Sequence, residues 1–340
     1  MKKIFIRSPY FIQVNETNQL GSKIELYLYN KSDGVPIIPT YTRSKKIASN
    51  TQRENTYNIS NYVKEFIKPI APVTVSVPTE ENDNCWAYCV VKRYTELTLG
   101  VYTLLSTETF VCLNGYTTYT GGYNNDDTTA VLPLVNTGIT YYKSTAANYI
   151  NVFIETIAND IVWTSDTEDM YFNNTEPSLW KLPYYENTYL DFSPYTQPRI
   201  FTLKVEELCE PKYTPVTCAF INRFGGWQYL TFFKANLQSI DVTSKDFNLL
   251  PSNVNYNVLQ GQKRVFNQQG KQKIKCNTGW VDENYFDLIQ DLLLSEVVLL
   301  DNKPVIVKSQ NSERKTHLKD KNINYEIEFE FNYGLINDVI

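Results

Sequence analysis

The segment INYEIEFEF, residues 323–331, places Ile323, Tyr325, Ile327, Phe329 and Phe331 at every second position, with polar side chains between them. Side chains of an extended chain point alternately to opposite faces, so this pattern fits a strand with one buried face and fits a helix badly. The same period returns in KIFIR, YFIQV and SKIELYLYN, and strand-like runs follow in VTVSV, CWAYCVVKRY and ETFVCL. It resumes in GITYYKS, YINVFIETI, RIFTLKVEELCE and KPVIVKSQ. A chain with so many short runs is expected to be mainly β. Composition agrees: 26 Tyr and 17 Phe stand against 2 Met and 1 His, and aromatic side chains suit pleated, half-buried surfaces. No repeat of 20–50 residues marks a solenoid.

The chain divides at changes of pattern. Residues 1–112 hold short alternating strands, and Asp33-Gly34 supplies a hairpin turn. In YNISNYVKEFIKP, Ser60 is a candidate cap, with Tyr62, Val63, Phe66 and Ile67 at helical spacing before Pro69. This part reads as a fibronectin-III-like β-sandwich with one short helical plug. A polar stretch, NGYTTYTGGYNNDDTT, opens a second β segment, 113–200, which is acidic and loop-rich. Residues 201–340 form the third part. There Tyr285, Leu288, Ile289, Leu292 and Leu293 make a helical stripe within 283–294, and Asp282 is the expected N-cap.

Within that third part, AFINRFGGWQYLTFF, residues 219–233, concentrates aromatics around two adjacent glycines. Strand-like runs on both sides of Arg223, Phe224, Gly225, Gly226 and Trp227 predict a hairpin whose turn needs positive φ. A phosphate-cradling loop would need further glycines and a following helix, and the chain continues as strand instead. The hairpin is expected either in the core, with Phe224 and Trp227 buried, or as an arm across an interface.

Charge is unevenly spread. Residues 1–70 carry 11 basic and 5 acidic side chains, residues 71–200 carry 5 and 15, and residues 201–340 carry 16 and 17. Segments of opposite sign suit head-to-tail contact between copies. Between Asp246 and Asp282 there is no acid, while Lys263, Arg264, Lys271, Lys273 and Lys275 give a basic surface that could face DNA, or an ordinary basic hairpin. No apolar run is long enough to span a bilayer, and Arg7, Ser8 and Pro9 interrupt the N-terminal apolar stretch that a signal peptide would need. Six cysteines in 340 residues do not suggest a disulfide framework, and Cys85 and Cys89 on one strand would be too far apart to bridge.

Catalytic chemistry finds no anchor. The single histidine, His317, lies in a basic turn, and no nucleophile-elbow motif accompanies it. The cysteines lack paired zinc spacing, and the acids at 160, 166, 168, 169 and 176 lack the converging spacing and glycine of a calcium loop. No pair among the 37 acids is singled out for glycosidase work. The expectation is a protein without enzymatic activity, metal or cofactor.

Taken in order, IRSPYFIQV, KIELYLYN, YNISNYVKEFI, FINRFGGWQYLTFF and the stretch from NTGWVDENYFDLIQ to YEIEFEF resemble virion proteins of crAss-like short-tailed phages of Bacteroidetes. That resemblance implies a structural component of the collar or tail, a ring or hub protein of the virion, made in the host cytoplasm. Its expected partners are copies of itself, other collar and tail proteins, and DNA in transit through the channel. It also implies that residues 201–340 form a tail-tube or hub-like β-barrel with one packed helix. The competing reading is a host-surface or fibre-attachment module that binds polysaccharide.

Overall fold

The computed structural model describes residues 1–48, 54–80, 84–121, 131–136, 138–143, 148–155, 161–164, 169–172, 176–184, 188–191, 201–207, 212–249, 259, 261–309 and 322–336. Among these residues the fold is mainly β, with two α-helices.

The N-terminal part runs β1 (Lys2–Phe5), β2 (Phe11–Asn15), β3 (Gly21–Tyr29), β4 (Tyr41–Lys46), β5 (Glu54–Asn58), α1 (Ser60–Phe66), β6 (Thr79–Glu80), β7 (Trp86–Thr98) and β8 (Val101–Leu113). Five strands pair in the order β1-β8-β7-β3-β4, with β1 parallel to β8, while β2 and β5 form a separate ribbon. Ile12, Val14 and Tyr57 of the ribbon and Val63 of α1 share one core with Ile24, Leu26, Ala87, Cys89, Val91 and Phe110 of the sheet. Gly34 takes the positive φ expected of the turn, +68°. Two local readings are corrected. Ser60 does not cap α1: its Oγ donates to Ser8 O at 2.7 Å and accepts from Tyr10 N at 2.8 Å, while Ile59 holds the cap position. VTVSV (73–77) forms no strand, and Pro72 and Pro78, which bound it, stop a ladder from extending past either end.

The middle part consists of β9 (Val131–Pro133), β10 (Thr140–Lys143), β11 (Tyr149–Ile154), β12 (Ile161–Thr164), β13 (Asp169–Phe172), β14 (Ser178–Pro183), β15 (Thr188–Asp191) and β16 (Phe201–Glu207). They make two sheets, β6-β14-β11-β9 and β10-β16-β15-β12-β13. The first takes β6 from the N-terminal part.

The C-terminal part contains β17 (Val216–Ile221), β18 (Trp227–Phe232), β19 (Leu237–Asn248), β20 (Lys263–Asp282), α2 (Tyr285–Leu293), β21 (Val298–Leu300), β22 (Lys303–Val307) and β23 (Asn322–Phe331). Here the expected barrel is not found. Seven strands lie in the open order β18-β17-β21-β22-β23-β20-β19, and the two edge strands do not pair. The sheet curls far enough for Phe232 and Phe329 to meet edge-on, with ring centroids 5.8 Å apart. It stays open because β19 is an exposed strand bonded only to β20. Helix α2 forms where the apolar stripe predicted it, starting at Tyr285 after Asn284 rather than from a cap at Asp282.

Two further cores explain why some strands are apolar on both faces. Ile150, Val152 and Ile154 of β11 join Cys218, Phe220, Leu288 and Phe329 in one core. Tyr149 and Phe153 of the same strand join Trp86, Tyr88, Ala219, Ile221 and Trp227 in another. Residues from all three parts of the sequence therefore share this last core, and the run WAYCVV in β7 is buried throughout because each of its faces meets a different one.

Candidate functional site

The glycine-centred hairpin lies at the junction of the three parts. Asn222 Oδ1 accepts from Phe224 N at 3.0 Å and from Gly226 N at 3.2 Å, closing the turn as an Asx-type loop. Its Nδ2 donates to Leu134 O at 2.9 Å and to Gln228 Oε1 at 2.7 Å. Gly225 has φ +86°, and a Cβ there would stand 2.7 Å from Asn114 N. At Gly226 a Cβ would stand 2.7 Å from both Leu134 Cβ and Leu134 O. Trp227 is fully buried, and its main-chain N–H donates to Asn151 Oδ1 at 2.7 Å. Phe224 is half-buried, packed against the shared core, and the Arg223 guanidinium lies 4.7 Å from its ring. Arg223 O accepts from Tyr116 N at 2.7 Å. Of the two placements the sequence allows, these side chains and glycines occupy the one inside the fold.

A buried polar network extends from this turn. Asn136 Nδ2 donates to Asp291 Oδ2 at 2.9 Å, Tyr116 OH donates to Asp291 Oδ1 at 3.1 Å, and Gln228 Nε2 donates to Tyr141 OH at 2.8 Å. Burial raises the Asp291 carboxyl above its ordinary range, opposed by Asn136, Arg223 and Tyr116. Every neighbour here is a tie between segments. No water-accessible nucleophile or base is among them, and the network acts as a clamp. Sequence patterns pointed to the glycines but not to Asn136, Asn222, Gln228 or Asp291, which lie far apart in the chain.

The second feature is a projecting arm. Strand β19 pairs with β20 from Leu237↔Lys275 to Asn248↔Lys263, with a bulge between Thr243 and Lys245. Strand β23 accompanies β20 only from Lys273 onward. The chain beyond it returns to β20, where Leu335 N donates to Gly270 O at 2.8 Å and Gln269 Nε2 donates to Ile336 O at 2.8 Å. Among the described residues β20 from Lys263 to Gln268 is therefore flanked by β19 alone. At about 3.4 Å per residue this six-residue stretch spans roughly 20 Å. All twelve residues of β19 are exposed, including Ile240 at 60% and Val242 at 64%. Phe247 and Phe266, also exposed, pack edge-on across the arm at 5.6 Å. The run of cations predicts a basic hairpin here but not β19. Its signal was present in the spacing of Ile240 and Val242 and in lysines at every second position from 271 to 275.

The acid-free span is not a free positive surface. Lys263 pairs with Asp246 at 3.1 Å, Lys271 with Glu330 at 3.3 Å, Lys273 with Asp241 at 2.5 Å, and Lys275 with Glu326 at 2.7 Å. Neighbouring strands supply the acids the span itself lacks. Arg264 is the one cation of the five without a carboxylate partner among the described residues.

A polar cleft of about 550 Å³ lies between Asn30–Ser32, β6, Trp86 and the start of β14, with Lys31 and Glu80 bridged at 2.5 Å. Glu176 lines it. Positions 160, 166 and 168, with His317, lie outside the described residues, as does the side chain of Asp169. Among the described residues no three His, Cys, Asp or Glu side chains converge as a metal site, and no helix is long and apolar enough to cross a membrane. No protein-family model matches the chain, and no curated protein sequence is detectably similar to it.

Proposed function

We propose that this chain is a non-enzymatic structural component of a phage virion, assembling with copies of itself into a ring or hub of the collar or tail through which DNA passes. Its N-terminal part then serves as a fibronectin-III-like module, and other collar and tail proteins stack against the ring. The single observation that carries this reading is the arm. A long, exposed edge strand bearing Ile240 and Val242 offers unpaired main-chain groups beside apolar side chains, which a solitary protein normally blunts and an assembling one uses. The clamp of buried polar groups supports it, because a subunit that transmits force between neighbours needs its segments tied. Four of the five cations in the basic span are held by carboxylates, so DNA transit in this reading depends on the shape of the ring and little on that strand.

Light scattering coupled to size exclusion, with negative-stain imaging of the same peak, tests the reading. A closed oligomer with a central opening is expected. A monomer at every concentration up to aggregation, with no annular particles, overturns it.

A further inference from the structure

Resting on that assembly reading, we propose that the β19 edge of one copy adds to the β4 edge of the next, making a head-to-tail contact between identical chains. The five-stranded N-terminal sheet and the seven-stranded C-terminal sheet each have one covered edge and one open edge. Strand β18 is buried along its length, and β1 carries the buried Lys3 and Ile4. At the other ends, among the described residues β4 pairs only with β3 and β19 only with β20, and both are exposed, β4 at five of its six residues.

Their charges are complementary. Strand β4, YTRSKK, carries three cations and no acid, whereas β19, LQSIDVTSKDFN, carries two acids and one cation. Lys46 is already committed to the buried Glu96 carboxylate. Arg43 donates only to Tyr62 OH, at 2.8 Å, and Lys45 only to Thr56 O, so neither has a carboxylate partner among the described residues. Asp241 and Asp246 remain more than half exposed although each holds a lysine, and a carboxylate has lone pairs for a second cation. Apolar groups continue the match. Ile37 and Ile38, just before β4, are 98% and 77% exposed, and a neighbouring copy brings Ile240 and Val242. Ile47 N donates to Leu20 O at 2.9 Å, and in the antiparallel register that follows Thr42 and Ser44 turn their main-chain groups away from β3, towards an added strand. Two different surfaces on one molecule give a heterologous contact, the kind that closes into rings.

Paired charge reversals test the contact. Arg43→Glu with Lys45→Glu makes one variant, and Asp241→Lys with Asp246→Lys makes the other. Each alone is expected to associate at least about tenfold more weakly than wild type, because like charges then face each other. A chain carrying all four reversals is expected to recover the wild-type oligomer, since every contact between its copies again joins opposite signs. Circular dichroism melts confirm folding, and glutamine or asparagine at the same positions replaces any reversal that melts well below wild type. A wild-type ring that both variants still form overturns this inference and leaves the functional reading standing. Dispersal of both variants without recovery in the chain carrying all four reversals overturns the β4–β19 pairing. A wild type that stays monomeric overturns both.

Discussion

Asn222→Ala removes the side chain on which the central turn is built. Four hydrogen bonds go with it, from Phe224 N and Gly226 N and to Leu134 O and Gln228 Oε1. At a net contribution of about 1 kcal/mol each, the loss is about 4 kcal/mol. Gln228 Oε1 keeps Asn136 as a donor at 3.3 Å, and Phe224 is half-buried, so those two groups are not stranded. Gly226 N and Leu134 O belong to buried residues, and leaving them unbonded raises the upper bound to about 6 kcal/mol. That is a large part of the stability of an ordinary domain, roughly 5–15 kcal/mol. Urea unfolding followed by tryptophan fluorescence measures it. At a slope of roughly 3 kcal/mol per M, the midpoint falls by about 1.3 M. Asn248→Ala, on the exposed arm, is the control and stays within about 0.5 kcal/mol of wild type. An Asn222→Ala loss below about 1 kcal/mol refutes the clamp, since the buried groups would then have found other partners.

Three further outcomes are expected. Gly226→Ala forces a methyl against Leu134 and destabilises by about 1–3 kcal/mol in the same urea assay, and an unchanged midpoint would show that the junction is loosely packed. The thiols at Cys85, Cys89, Cys112, Cys218 and Cys276 are buried, and burial lifts Cys276 to about 12 and Cys112 and Cys218 well above the ordinary range. In a mass-spectrometric labelling experiment these five stay unmodified until denaturant is added, and rapid native labelling of any of them contradicts their burial. Stability follows pH through two opposed groups. The hydrogen bond from Lys46, aided by Gly100 N, lowers the Glu96 carboxyl, so its contribution is present above the ordinary Glu range and is lost as pH falls through the lowered value. Burial raises Asp291, so its contribution is present below the ordinary Asp range and fades as pH rises through the raised value. Melting temperatures across pH are expected to lose part of the acid decline in Glu96→Gln and to lose the opposing trend in Asp291→Asn. A profile unchanged by both substitutions contradicts the assignment.

Much of the local structure was legible because it depends on side-chain period alone. The alternation in 323–331 became β23, the stripe from Tyr285 to Leu293 became α2, and Gly225 took the positive φ that a tight turn between strands requires. Reading failed where a neighbour decided the outcome. VTVSV has strand composition, yet between Pro72 and Pro78 it joins no sheet among the described residues, and Ser60 has a cap's chemistry but found Ser8 and Tyr10 closer. The acid-free span looked like a cationic surface because the acids that pair with it come from β19 and from β23, more than fifty residues away.

The mainly β character, the place of the strongest helix and the bend at the glycine turn all follow from φ preferences and periodicity within about a dozen residues. Packing between distant segments makes the turn an interior clamp, leaves the C-terminal sheet open and exposes β19 as an edge. Those outcomes rest on which strands meet and which groups are desolvated together. Asn136, Asn222, Gln228 and Asp291 become one network only when segments up to 155 residues apart pack into the same dry junction.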